Sequence, residues 1–308
     1  MKKNRLIIIL GILVLFHLFW GGYSSMTPYI LSRRITTLSL IAIVSVLTSL
    51  STLSFQTITQ NRLLSPAIMG FDQIYLLIQT TMIVIGIRQS STAQILLSVF
   101  IMVSVMMSLY HYILVKKEES IYILLLLGMI LTTFASSLTQ ALEMILDPNE
   151  FSIVQDRAFA SINSYHAKSL LVLSVIAILG LWVLYRLKKY MSVLVLGDDL
   201  AANLGVNVDK VKRYALYGIA LCTSVSTALI GPISFLGLLS VNIARQHVKS
   251  ERFTDVGKNS VLMSMILLLG TQVIFERVMN FNSSLTVVLN FCGGLYFFYL
   301  IMKERFND

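Results

Sequence analysis

The chain has 308 residues, 56% of them hydrophobic and 13% charged, and its mean hydropathy is +0.80. Soluble domains carry about twice that charged fraction, so the composition excludes a water-soluble enzyme and indicates a polytopic, all-α membrane protein. The net charge of +9 is explained by a cytoplasmic excess of Lys and Arg, and no nucleic acid partner is needed.

Ten apolar runs long enough, or nearly long enough, to span a bilayer follow one another. They predict helices at 6–22, 35–58, 67–87, 92–115, 121–146, 168–187, 212–230, 233–246, 257–275 and 285–302. The first run is too long for a signal-peptide core and no small-x-small cleavage site follows it, so it is expected to be a retained helix. Pro232 suits the first position of the short eighth helix. The polar segment 147–167 has room for a short surface helix but not for a domain. One transmembrane domain over 1–308 is the expected organisation.

Ten spans place both termini on one side. With that side cytoplasmic, 24 Lys and Arg divide so that only Arg33, Arg34, Arg88, Arg157, Lys168 and Arg277 lie outside. That asymmetry obeys the positive-inside rule and sets both termini in the cytoplasm.

Between the sixth and seventh spans lies Leu196-Gly197-Asp198-Asp199-Leu200-Ala201-Ala202-Asn203-Leu204-Gly205. Asp198 or Asp199 can N-cap a helix there and Gly205 can end it. About two turns are too few to be stable alone in water. Leu200 and Leu204, four residues apart, share a face. The stretch reads as an ordered loop or as a docking element for another protein.

Enzymatic constellations are lacking. His17, His111, His166 and His247 are scattered, Cys222 and Cys292 sit inside apolar runs as small core residues, and no metal-ligand spacing occurs. No Gly-x-Ser-x-Gly elbow and no Gly-x-x-x-x-Gly-Lys-Ser/Thr phosphate loop is present. No catalytic residue, cofactor or metal is expected, and the chain has no ATP motif of its own. Asp72, about one turn into its span, is expected at the cytoplasmic interface, and Glu143 near the outer end of its own. The second span is rich in hydroxyls and carries Gln56, and the polar turn beyond it has Gln60 and Asn61. Ser51, Gln56, Gln60 and Asn61 are either packing glue or the wall of a wetted translocation path. Arg33, Arg34 and Arg277, outside against the charge bias, meet either lipid phosphate or the carboxylates of an extracellular partner.

Three blocks carry a resemblance. The first is Ser51-x4-Gln56-x3-Gln60-Asn61-Arg62-Leu63-Leu64-Ser65-Pro66-Ala67-Ile68-Met69-Gly70. The second is Gly197-Asp198-x-x-Ala201-x-x-Leu204-Gly205. The third is Gly231-Pro232-Ile233-Ser234-Phe235-Leu236-Gly237-Leu238, followed by Arg245. In this order and spacing the chain, from about residue 30 onward, resembles the FecCD-type permeases of ABC importers for iron–siderophores and vitamin B12. It departs from that pattern at Arg62 (for proline), Val241-Asn242 (for Pro-His), Ser283-Ser284, Leu295 and Thr37, and is most similar to the catecholate-siderophore branch.

The resemblance implies a bacterial cell-membrane transport subunit, not an enzyme. Its expected partners are a second permease, two cytoplasmic ATPase subunits and an extracellular substrate-binding protein, with ferric siderophore as substrate. Other chelates such as haem or vitamin B12, or ATP-independent secondary transport, are the alternatives. It further implies that Gly197, Asp198, Ala201, Leu204 and Gly205 form the ATPase-coupling loop and that Arg33, Arg34 and Arg277 receive the binding protein.

Overall fold

A computed structural model describes the chain except residues 1, 20–27, 88–90, 113–120, 161, 163–166, 249, 278–284 and 306–308. The described residues are helical: α1 (Lys2–Phe19), α2 (Pro28–Thr59), α3 (Phe71–Val84), α4 (Thr92–His111), α5 (Ile121–Glu143), α6 (Pro148–Ala158), α7 (Ala167–Leu194), α8 (Asp198–Asn203), α9 (Val208–Ile230), α10 (Ser234–Val248), α11 (Phe253–Arg277) and α12 (Leu285–Arg305). Each of the ten predicted stretches holds an α-helix, and the short helices α6 and α8 lie in the two polar gaps where the sequence leaves room for them. Six of the helices (α2, α4, α5, α7, α9 and α11) are long and apolar enough to cross a membrane, while α1, α3 and α12 hold shorter apolar stretches.

Several boundaries differ from expectation. α2 starts at Pro28 rather than at 35, because proline is tolerated in a first helical turn, and Arg33 and Arg34 therefore lie on the helix instead of before it. The third stretch is interrupted. Pro66–Met69 is a short 3-10 helix, Gly70 turns left-handed at φ 93°, and α3 begins only at Phe71. α7 runs on through Arg186, Lys188 and Lys189 to Leu194, since Arg and Lys are good helix formers. Pro232 does not open the eighth span; α10 begins at Ser234.

α2 and α9 form the centre of the bundle and pack on each other, with α7, α10 and α11 around them. Of their apolar stretches 67% and 78% are buried, against 22% for α4 and α7, which lie at the rim. α3 rests on α5 and α6, α1 on α11, and α12 on α10. The hydroxyls of α2 serve packing in two ways. Thr48, Thr57 and Thr59 return their protons to the carbonyls of Val44, Leu53 and Phe55, each at 2.8 Å, which satisfies them inside an apolar core. Ser49 instead crosses to the carbonyl of Ser260 on α11 at 3.1 Å. Small residues let the helices approach closely: a Cβ at Gly237 of α10 would lie 2.1 Å from Thr52 Oγ1 of α2.

Candidate functional site

The polar gap after α7 folds into α8, and its chemistry explains its shape. Gly197, at φ 106°, is the N-cap, and Asp198 and Asp199 occupy the first turn. The expectation that one of the aspartates caps the helix is corrected: their carboxylates face the positive end of the helix dipole from within the first turn. Asp198 also pairs with Lys212 at the start of α9. At the far end Gly205, at φ 81°, reverses the chain, a conformation that glycine adopts without steric cost, and Val206 N–H returns to the Ala201 carbonyl at 3.0 Å.

Ala201 is fully buried, so α8 is seated on α7 and α9 through its smallest face. Leu200 and Leu204 point away, 55% and 65% exposed, and Leu196 beside them is 58% exposed. Leu200 on α8 and Leu196 and Leu204 flanking it leave an apolar surface that the described residues do not cover.

Gln60 ties this region to the centre of the bundle. Its Nε2 donates to the carbonyl of Leu194, the last residue of α7, at 2.7 Å, and to Thr57 at 2.8 Å. Gln60 holds a left-handed backbone at φ 51° to do so. Gln56 is buried and donates to the Arg62 carbonyl at 2.7 Å. Asn61 is exposed and accepts from Leu63 N–H at 2.9 Å, which closes the turn. Ser51 is buried and donates to the Thr48 carbonyl at 3.1 Å.

Two of the three sequence blocks meet in space. Ser51, Ser65, Pro66 and Ala67 of the first and Gly231, Ile233, Ser234 and Gly237 of the third line one cavity of about 30 Å³. Asp72 reaches into the same cavity and corrects another expectation. It does not sit at the α8 end of the bundle: Ser234 Oγ donates to its Oδ2 at 2.6 Å and Thr227 Oγ1 to its Oδ1 at 3.4 Å. Thr227 lies near the opposite end of α9 from Lys212, about 22 Å away at 1.5 Å per residue. The interruption at Gly70 carries α3 deep before it starts, a consequence invisible in the hydropathy of the run.

The basic residues of the other end are placed individually. Arg34 Nη1 donates to the carbonyl of Leu18 near the end of α1, where unpaired helix carbonyls need donors. Arg33 is exposed on α2. Arg277 ends α11, and its side chain lies outside the described residues. The structure thus brings Arg33 and Arg34 together on one helix turn.

A sequence model of the FecCD transport family matches residues 8–303. The chain belongs to the FecCD transport family. Among this FecCD chain's relatives, the petrobactin import system permease YclO of Bacillus subtilis is 40% identical over 282 residues, 90% of each chain. The petrobactin import system permease FatC of Bacillus anthracis is 28% identical and covers 90% of this chain and 79% of its own. A solved metal-chelate type ABC transporter in an inward-facing conformation superposes with a TM-score of 0.82 at 19% identity, covering 97% of this chain and 98% of that one. The fold is that of such a permease, and with its apolar helices this FecCD member is a multi-pass membrane protein.

Proposed function

We propose that this chain is the transmembrane permease subunit of an ABC importer that moves ferric siderophore into the cytoplasm, driven by separate ATPase subunits. Family membership over residues 8–303 carries the proposal, and the petrobactin import permeases among its relatives support a siderophore as the cargo. The ten helical stretches are then ten spans of one permease unit in a bacterial cell membrane. The basic bias of the sequence supports cytoplasmic termini. A second permease, identical or a sibling, completes the path.

The outward leucines of α8 give the external motor its purchase. Gly197, Asp198, Ala201, Leu204 and Gly205 form the coupling element: the glycines and Ala201 hold it against α7 and α9, and Leu200 and Leu204 enter the ATPase. Movement there reaches the bundle through α9, joined to α8 by the Asp198–Lys212 pair, and through α2, joined to α7 by Gln60. These two helices border the Asp72 cavity, so coupling and pore share their central pair. Ser51, Gln56, Gln60 and Asn61 then lie along the path and its cytoplasmic exit. At the other face Arg33, Arg34 and Arg277 receive carboxylates of the binding protein.

Uptake of radiolabelled iron–siderophore in cells lacking the chain tests this. Loss of uptake of one siderophore in a catecholate and hydroxamate panel, restored by the wild-type gene, is expected. Unchanged uptake across the panel, or transport by the purified chain in liposomes without an ATPase, rejects it.

A further inference from the structure

We propose that the cavity at Asp72 is a binding site for one small monovalent cation of sodium size. It is lined by α2, α3, α9, α10 and the 3-10 segment Pro66–Met69 and has a volume of about 30 Å³, enough for a water-sized occupant. Asp72 is 8% exposed, and no basic side chain among the described residues forms an ion pair with it. Its polar contacts are hydroxyls, Ser234 Oγ at 2.6 Å and Thr227 Oγ1 at 3.4 Å.

A second polar group is unaccounted for at the same place. Thr223 lines the cavity, is 8% exposed, and its Oγ1 has no hydrogen-bond partner among the described residues. Its neighbours are satisfied: Thr48 donates to Val44 and Ser226 to the carbonyl of Thr223 itself. A buried hydroxyl left unpaired in a cavity that also holds a buried carboxylate costs free energy unless an occupant supplies its partner.

The charge balance selects the occupant. Asp72 lies in the first turn of α3 and contacts Ser234, the first residue of α10, so two helix N-termini offset part of its charge. Thr227 belongs to the last turn of α9, whose C-terminal end opposes them. At roughly half an elementary charge per terminus, a net negative charge remains. One monovalent cation brings it to about plus one half, whereas a divalent ion leaves about plus one and a half in a buried site and ordinarily takes several carboxylates or waters. The lining holds no His, Cys or Met, so the donors are hard oxygens unsuited to softer metals. Thr48, Thr223, Thr227 and Ser234 offer hydroxyl lone pairs, and Asp72 supplies the charge.

Binding of radiolabelled sodium to the purified full chain in lipid nanodiscs, in choline chloride at constant ionic strength, tests the site independently of transport. Saturable binding of about one ion per chain is expected, lost in Asp72→Asn and weakened roughly tenfold in Thr223→Val and Ser234→Ala, as for loss of one good ligand contact. Potassium should compete poorly. No saturable binding by wild type, equal competition by potassium, or undiminished binding in a folded Asp72→Asn overturns the proposal and leaves the cavity to a water. Should Asp72→Asn not fold, undiminished affinity in both hydroxyl variants overturns it equally.

Discussion

Gln60, at the end of α2, donates from its side-chain amide to the carbonyl of Leu194, 134 residues later and three residues before the N-cap of α8. Two helices that are far apart in sequence are thereby fixed to each other where the coupling element begins. Gln60→Leu removes both of the amide's bonds while keeping its bulk. Each such bond is worth about 1 kcal/mol, so the fold should persist. Uptake should fall several-fold relative to ATP hydrolysis in the reconstituted complex. An unchanged ratio of transport to hydrolysis would show that Gln60 only closes a turn.

The leucines of α8 separate docking from folding. Leu204 is 65% exposed and Ala201 is fully buried. Leu204→Asp should leave the permease as stable as wild type and abolish co-purification of the ATPase subunits. Ala201→Glu buries a charge against α7 and α9 and should destabilise the chain by several kcal/mol. Thermal unfolding measured beside pull-down tells the two apart; retained ATPase binding in Leu204→Asp removes the docking role.

Asp198 and Lys212 join α8 to α9 across partly exposed surface, with side-chain exposures of 41% and 14%. Solvent limits such a pair to about 1 kcal/mol or less. Lys212→Glu should reduce coupled transport, and the reversed pair Asp198→Lys with Lys212→Glu should recover much of it. Failure of the reversed pair to recover any activity would mean that the charges act on another partner.

Arg34 combines two roles that one substitution confounds. It donates to the Leu18 carbonyl, and its charge is proposed to receive the binding protein. Arg34→Gln keeps a donor without the charge and Arg34→Glu reverses the charge. Binding-protein affinity should fall more in Glu than in Gln, and the difference should shrink at high salt. Equal, salt-independent losses would assign Arg34 to the α1 end alone.

Gly237 meets Thr52 where α10 crosses α2, and a Cβ would lie 2.1 Å from Thr52 Oγ1. Gly237→Ala should destabilise the permease by about 1–3 kcal/mol through overpacking. Thr52→Ala in the same chain should restore part of this. Melting temperatures of the single and double variants give the coupling.

The sequence by itself determined the helical class, the position of every long apolar helix, and the outline of α8, because these follow from local rules. Apolar run length marks a helix in hydrocarbon, Gly197 and Gly205 bracket a turn of helix, and leucines four residues apart share a face. It also exposed Arg62 and Asn242 as departures from the family pattern, but not that they touch. Asn242 Nδ2 donates to the Arg62 carbonyl at 3.1 Å, across 180 residues. Only the tertiary structure decided which partners polar residues take. Ser51 and Gln56 turned to nearby carbonyls, Arg34 to a helix end, and Asp72 was carried by the break at Gly70 to hydroxyls of α9 and α10. Hydropathy records how apolar a stretch is, not how deep it starts or what faces it. The depth of Asp72 was set by a left-handed glycine, and its environment by three other helices meeting around one small cavity.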